Sequence, residues 1–293
     1  MRIAIASGKG GTGKTTVATN LAFVAAAAGR SVAYLDCDVE EPNGHIFLKP
    51  TISAETPITR PLPQVDEKLC NGCGRCGKIC QYSAIVCIGD RPLTFPKLCH
   101  SCGGCAMVCP VEAIKEVPRP IGMLRAGDSH GVQFVEGRLN VGEAMSPPAI
   151  RAVKAAAPTA ELVIVDSPPG TSCPVIESVR GCDQVLLVTE PTPFGLHDLT
   201  LAVEMVSAMG LAMSVIINRA DSGDHQTRQF CDRKGIAVLA EIPDVRAVAE
   251  AYSRGVLIAE VSEVYRKGME RVLARLCHRN QSPAPIASGG GRA

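Results

Sequence analysis

The chain has 293 residues, with 30 Lys and Arg against 29 Asp and Glu, for a formal charge of +1. So even a balance excludes a polybasic nucleic-acid glove or an acidic solvating tail as the main feature. Aromatic residues (4 Tyr, 6 Phe, no Trp) are too few for base-stacking platforms along a single strand. A 46% hydrophobic content with 20% charged residues allows a real core in one large domain, or in one domain with an insert.

Buried-strand runs alternate with helical patterns, the mark of an α/β fold with a mostly parallel sheet flanked by helices. In chain order the patterns predict a strand at 2–6, a helix at 14–28 ending on Gly29, and a strand at 31–35. A helix at 148–157 and strands at 162–165 and 184–188 follow. The remainder is a helix at 196–209, strands at 213–217 and 236–240, and helices at 243–252 and 261–278. In the last helix, positions 261, 264, 265, 269, 272, 273 and 276 form one apolar stripe, with Arg266, Lys267, Arg271 and Arg275 outside it. The stripe is expected to close the core rather than lie on a membrane. No run near Met1 suits an export signal, and stretch 17–28, broken by Thr19 and Asn20, is too short to cross a bilayer. A cytoplasmic protein is expected, with 281–293 as a frayed tail.

The segment Gly8-Lys9-Gly10-Gly11-Thr12-Gly13-Lys14-Thr15-Thr16 follows the first strand and opens the first helix. Its glycines let backbone N–H groups wrap a polyphosphate at a helix N-terminus. Lys14 would reach the β- and γ-phosphates, and the Thr15 hydroxyl would ligate Mg²⁺.

With its early Lys9, this loop resembles the deviant Walker A motif of the family that holds MinD, ParA, Mrp and the nitrogenase iron protein. The resemblance implies that Lys9 reaches across an ATP-dependent homodimer to the partner's nucleotide. Leu35-Asp36-Cys37-Asp38 is similar to the family's LDxD motif, which implies that Asp38 positions the attacking water or reports the γ-phosphate. Val165-Asp166-Ser167-Pro168-Pro169-Gly170 resembles its Walker B and switch II segment. Asp166 would then hold Mg²⁺ through water and Gly170 would let the switch move. Asn218-Arg219 resembles the strand end that contacts adenine, and Ile242-Pro243-Asp244 the loop that covers the base. Asn218-Arg219-Ala220-Asp221 also echoes a guanine-reading NKxD, but Arg does not substitute for the Lys that packs along the base, so ATP is the expected nucleotide.

Fourteen cysteines are the anomaly. Eight form a doubled run, Cys70-x2-Cys73-x2-Cys76-x3-Cys80 and Cys99-x2-Cys102-x2-Cys105-x3-Cys109-Pro110. A shift of 29 residues superposes the two copies, together with Leu69 on Leu98, Gly74 on Gly103, and Ala84-Ile85 on Ala113-Ile114. This is two copies of one unit. Three thiolates within seven residues wrap a [4Fe–4S] cubane and the fourth crosses to the other cluster. Cluster one would take Cys70, Cys73, Cys76 and Cys109, and cluster two Cys99, Cys102, Cys105 and Cys80. Two Cys₄ zinc sites are the alternative, although zinc ribbons leave a third close cysteine without a role.

The unit resembles a bacterial two-cluster ferredoxin, with Gln81 where a proline is usual. Bounded by prolines at 57, 61, 63, 118 and 120, it is read as an insert at 61–118. The parent ATPase domain takes 1–60 and 119–280, with stiff proline links between the two parts. The joint architecture, and the segments GTSCPV and EPTPFGLHDL, resemble a family of anaerobic bacteria and archaea.

The remaining cysteines are Cys37, Cys87, Cys173, Cys182, Cys231 and Cys277. All but Cys173 sit in apolar or helical contexts and are expected to pack in cores; His100 is expected to face solvent. Cys173 lies seven positions after Asp166, the spacing of a bridging-cluster ligand in the nitrogenase iron protein. The second cysteine such a cluster needs is absent between Pro110 and Asp166, so Cys173 is open between a small switch residue and a redox or ligand role.

Three functions fit: ATP-gated electron transfer from the clusters to a protein partner, an Mrp-like carrier of Fe–S clusters or another metallocofactor, and a positioning ATPase whose clusters sense redox state. Permanent eight-thiol sites suit the first. The late C-x-x-C of Mrp-type carriers is absent. Expected partners are a second copy and a redox or cofactor-assembly protein, without nucleic acid or membrane.

Overall fold

The computed structural model describes residues 1–279; the predicted tail at 281–293 lies outside them. The elements run β1 (Arg2–Ala6), α1 (Lys14–Ala27), β2 (Val32–Asp36), α2 (Gly44–Leu48), β3 (Thr51–Val65), α3 (Arg75–Ile79), β4 (Ile85–Ile88), β5 (Arg91–Thr94), α4 (Gly104–Met107), β6 (Ile114–Ser129) and β7 (Val132–Leu139). They continue with α5 (Pro147–Ala155), β8 (Leu162–Asp166), α6 (Cys173–Val179), β9 (Gln184–Thr189), α7 (Pro193–Ala208), β10 (Ala212–Asn218), α8 (Gln226–Lys234), β11 (Val238–Ile242), α9 (Arg246–Ser253), α10 (Ile258–Val261) and α11 (Glu263–Arg279).

Nine strands form one sheet in the order β11-β10-β9-β1-β8-β2-β7-β6-β3. Every pairing from β11 to β7 is parallel, while β7–β6 and β6–β3 are antiparallel. Strand residues alternate between two covered faces. Ile3, Ile5, Val32 and Tyr34 meet α1, α2 and α11, whereas Ala4, Ala6, Ala33 and Leu35 meet α5, α6 and α7. Burial on both faces explains why these strands read as continuous apolar runs. Among the described residues no helix is long and apolar enough to cross a membrane.

The last helix, predicted from 261, starts at Glu263 and buries Tyr265, Met269, Val272, Leu273 and Leu276, as its stripe predicts; Val264 is exposed, and so is Val261, which ends α10. The helix predicted from 243 starts at Arg246, and the strand predicted at 236–240 sits two residues later.

The proline-rich flanks are not links. They are β3 and β6, paired from Thr51↔Asp128 to Val65↔Ile114 in an antiparallel ribbon that continues the main sheet. The unit predicted at 61–118 is therefore no separately tethered domain: its flanks belong to the sheet, and the cysteine-bearing part is the ribbon's tip. Proline hides this from a sequence reading because it usually excludes strands. It is tolerated where a strand lacks a neighbour to receive its N–H. β3 is the sheet edge throughout, and β6 pairs with β7 only from Gly122 onward, leaving Pro118 and Pro120 on a free side. Ile58, Arg60 and Leu62 alternate inward along β3, the period-2 signal that the prolines mask.

At the tip the 29-residue repeat becomes a pseudo-twofold. Gly74 and Gly103 start α3 and α4 with φ of 72° and 71°, a backbone that glycine adopts without strain. Ser83 and Glu112 share φ near 50°. Ile85 pairs with Thr94 as Ile114 pairs with Val65. Ala84, Ile85, Ala113 and Ile114 are all buried, so the repeated apolar positions form the tip's small core.

Candidate nucleotide site and cysteine cavities

The glycine loop leaves β1 at the carboxyl edge of the sheet, where parallel α/β folds place their ligands. Gly11 and Gly13 have φ of 78° and 92°. A Cβ on Gly8 would come within 2.1 Å of the Asp198 carbonyl oxygen of α7, so the loop's course requires glycine there. No side chain caps α1, so its first N–H groups remain available to an anion. Lys14 is buried at the helix start. The Asn218 side chain donates to the Thr12 carbonyl at 2.9 Å, tying the end of β10 to the loop. Gly10 and Gly170 have no atom near where a Cβ would stand, and the Gly170 N–H donates to the Ser7 carbonyl at 3.0 Å.

Asp166 ends β8 fully buried. The Tyr34 hydroxyl donates to its Oδ2 at 2.8 Å, while Oδ1 has no partner. Burial raises the pKa of this carboxyl, opposed by the Lys14 ammonium, Thr15 and Tyr34. An orphaned carboxylate oxygen beside Thr15 fits a hydrated Mg²⁺, which would take the lone pair that nothing in the chain occupies. Asp36 is buried as well. Desolvation and the Asp166 charge push its pKa well up, and it accepts N–H bonds from Gly44 and Asp38, so it organises the turn rather than facing the loop.

Lys9 and Arg219 share one acid. Lys9 Nζ lies 3.2 Å from Glu190 Oε2, and Arg219 Nη1 lies 2.7 Å from Oε1. Glu190 is mostly buried at the end of β9. In the neighbouring loops the Asp244 N–H donates to Asp221 Oδ1 at 2.7 Å, joining the Pro243 loop to the loop after β10; Pro243 itself is exposed.

A charged row crosses the sheet. Asp166 registers with Asp36, Asp36 with Glu136, Glu136 with Arg125, and Arg125 with Glu55. Arg125 pairs with fully buried Glu136 at 2.7 Å and with Glu55 at 3.2 Å, and His45 Nδ1 lies 3.1 Å from Glu136. The row runs from the carboxylate beside the glycine loop to the cysteine-bearing ribbon. Farther along the ribbon, buried Arg60 donates to the Cys99 and Pro96 carbonyls, pinning the loop that begins the second thiol run.

The eight run cysteines divide between two cavities at the tip. One is lined by Cys70, Cys73, Cys76 and Cys109, the other by Cys80, Cys99, Cys102 and Cys105. Each set takes three thiols from one run and the fourth from the other. The Ala84 and Ala113 N–H groups donate to Cys80 and Cys109 Sγ at 3.3 and 3.2 Å. Burial works against the Cys80 thiolate, but N–H groups of Ile85, Tyr82, Ala84 and Ser83 outweigh it and hold its pKa below the usual thiol value. Among the described residues no three His, Cys, Asp or Glu side chains gather as a cage for a single metal ion. His100 is exposed, as expected, and stacks on Tyr82 at 3.5 Å beside the second cavity.

Residues 3–258 match CbiA, the CobQ/CobB/MinD/ParA nucleotide binding domain. The chain belongs to this family. An uncharacterized protein of Methanocaldococcus jannaschii is 36% identical over 223 residues, covering 75% of this chain and 78% of the relative. The septum site-determining protein MinD of Pyrococcus horikoshii, solved with Mg-ADP, superposes with a TM-score of 0.57 at 19% identity, over 94% of this chain and 95% of that one; this likeness concerns the fold. The iron-sulfur cluster carrier protein of Synechocystis is 52% identical over 46 residues, which is 16% of this chain and 13% of that protein.

Within the CobQ/CobB/MinD/ParA frame, the structure brings Lys14, Thr15, Asp38 and Asp166 to one end of the sheet. Lys9, Asn218 and Arg219 join them through Glu190 and Thr12. Cys173 is exposed at the start of α6, while Cys37, Cys182 and Cys231 are buried. Cys277 is half-buried and accepts from Arg30. Cys87 is not simple core packing: it lines the first thiol cavity. The sequence reading also passes over Glu190, Tyr34, Glu136, Arg125 and Arg60. Glu190 alone carried a signal, an acid at the carboxyl end of a predicted parallel strand.

Burial raises the Asp38 carboxyl to about 6 from 3.8; Lys14 pulls it down and Asp166 pushes it up. Near pH ~4 the folded carboxyl is protonated and the unfolded one about half ionised, so the penalty is only beginning; it grows as pH rises to about 6 and is fully present above that. Asp38→Asn is expected to stabilise the nucleotide-free chain by about 2 kcal/mol near pH ~8 and to change little near pH ~4. Urea midpoints at the two pH values check this; an equal gain at both would remove the titration as its cause.

Proposed function

We propose that the chain is an ATP-binding and ATP-hydrolysing protein whose ribbon tip holds two [4Fe–4S] clusters, and that its nucleotide state gates electron transfer from them to a protein partner. The observation that carries the reading is the division of eight thiols into two cavities with one thiol exchanged, the arrangement a two-cluster ferredoxin requires. Cys70, Cys73, Cys76 and Cys109 would hold one cluster, and Cys80, Cys99, Cys102 and Cys105 the other. Three close thiols from one run with a fourth from the other suit a cubane, whereas a zinc ribbon pairs one C-x2-C with another and leaves the third close cysteine without a role. When bound, such clusters supply one-electron chemistry at low potential. The chain's part is to orient the thiolates, donate N–H groups to Cys80 and Cys109, and hold the Cys99 carbonyl through buried Arg60, itself paired with Glu143 at 3.8 Å.

For the nucleotide, Gly10 to Gly13 and Thr16 would line the phosphates. Lys14 would neutralise them, and Thr15 and Asp166 would position Mg²⁺. Asp38 would orient water for attack on the γ-phosphate, and Gly170 would let the switch follow it. Asn218, Arg219 and Pro243 would border the base. Asp221 spends a carboxylate oxygen on the Asp244 N–H, which supports adenine over guanine at that edge. The active form would be a homodimer across the Lys9 face. A carrier role is the second reading, favoured by the short likeness to the Synechocystis carrier protein.

Anaerobically purified protein should contain about eight irons and eight sulfides per chain and hydrolyse Mg-ATP. Stoichiometric zinc with no visible charge-transfer absorption would overturn the cluster reading. Quantitative loss of iron to an apo-ferredoxin on ATP addition would turn it toward the carrier.

A further inference from the structure

The first cavity has one thiol more than a cubane uses. Cys87, on β4, lines it together with Cys70, Cys73, Cys76 and Cys109, and its Sγ lies 3.7 Å from that of Cys76. The close approach is built in: a Cβ on Gly77, the residue after Cys76, would stand 3.2 Å from the Cys87 N and 3.3 Å from its Sγ. Glycine at 77 thus lets α3 settle onto β4 with the two thiols side by side. The pseudo-twofold shows that this is a feature of one half. Position 87 shifted by 29 is 116, and Glu116 borders the second cavity, so there the same place carries a carboxylate.

We propose that Cys87 is a fifth, exchangeable iron ligand of the first cavity, able to take the place of Cys76. The inference rests on the cluster reading above. In the exchange the bond from iron to the Cys76 sulfur breaks and one to the Cys87 sulfur forms. The proton of the Cys87 thiol passes to the departing Cys76 thiolate, so neither charge nor oxidation state changes. The two sulfurs lie 3.7 Å apart, so a group held by one would be within reach of the other. No such reserve serves Cys73, which is exposed, or the second cavity, where a carboxylate replaces the thiol.

The test counts iron and sulfide in full-length protein prepared anaerobically. Cys76→Ala should keep about eight irons per chain, with an altered electron paramagnetic resonance signal from one cluster. Cys87→Ala should keep the same number with the parental signal. The double variant should fall to about four, as should Cys73→Ala. A Cys76→Ala chain no richer in iron than the double variant, beside a parent with eight, overturns the exchange alone. A parent without iron overturns the cluster reading and the exchange together. Because Cys76 also packs against Ile85 and Ile114, a second measurement uses the unmutated loaded protein. Slow alkylation by iodoacetamide, mapped by peptide mass, should distribute between Cys87 and Cys76; label confined to Cys87 overturns the exchange.

Discussion

Lys9→Ala is expected to bind Mg-ATP with nearly parental affinity and to hydrolyse it about a thousandfold more slowly, whereas Lys14→Ala should bind no nucleotide. Lys14 is buried at the N-terminus of α1, where its charge would face the phosphates directly. Lys9 is turned away, paired with Glu190 at 3.2 Å with a third of its side chain exposed. Its removal therefore takes nothing from the glycine loop that would cradle the phosphates. It deletes a cation that can leave Glu190 and reach the nucleotide of a second copy, because Arg219 stays on the same carboxylate at 2.7 Å and continues to neutralise it. A cation delivered in trans to the charge developing on a transferring phosphoryl group is worth about 10³-fold or more in rate. Equilibrium binding of a fluorescent ATP analogue and steady-state hydrolysis separate the two lysines. Parental hydrolysis by Lys9→Ala would end the cross-subunit role.

Mg-ATP, but not Mg-ADP, is expected to shift the midpoint potential of at least one cluster by about 60 mV, and Arg125→Gln should abolish the shift with iron content unchanged. For one electron that shift corresponds to roughly 1.4 kcal/mol, within the usual range of coupling energies. The expected route is the charged row into the ribbon, whose paired strands β3 and β6 run on from Glu55 and Arg125 to the tip. A Mg²⁺ beside Asp166 changes the field at Asp36 one strand away, and Asp36 neighbours Glu136, whose charge Arg125 balances from the ribbon strand β6. Moving a charge balance among buried carboxylates is a differential contact of the kind coupling requires. Arg125→Gln removes the charge and leaves a shorter side chain with a single amide donor group. Asp38→Asn should weaken the shift by loosening the γ-phosphate contact. Anaerobic redox titrations with each nucleotide decide the matter; superimposable curves would leave the nucleotide end of the sheet and the ribbon tip uncoupled.

Most of the parallel sheet was legible because its strands are buried on both faces and read as short apolar runs, whereas β7, which pairs parallel with β2, and the helices α6 and α8 carried no such signal. The glycine loop was legible for a related reason: positive φ at Gly11 and Gly13 can be met at low cost only by glycine. The doubled thiol run could be read because ligand spacing is local. The ribbon could not. Its pairing joins residues as far apart as Thr51 and Asp128, and its prolines are allowed only because one side of each strand has no neighbour, a fact that exists only once the sheet is assembled. The same holds for Glu190 between Lys9 and Arg219, for the row from Asp166 to Glu55, and for Cys87 beside Cys76. Each is a contact between side chains whose types are ordinary in their own segments. What gives them chemistry is burial and a neighbour on another strand, and both are properties of tertiary packing, since desolvation and distance set the strength of a charge or a thiol and neither is written in local order.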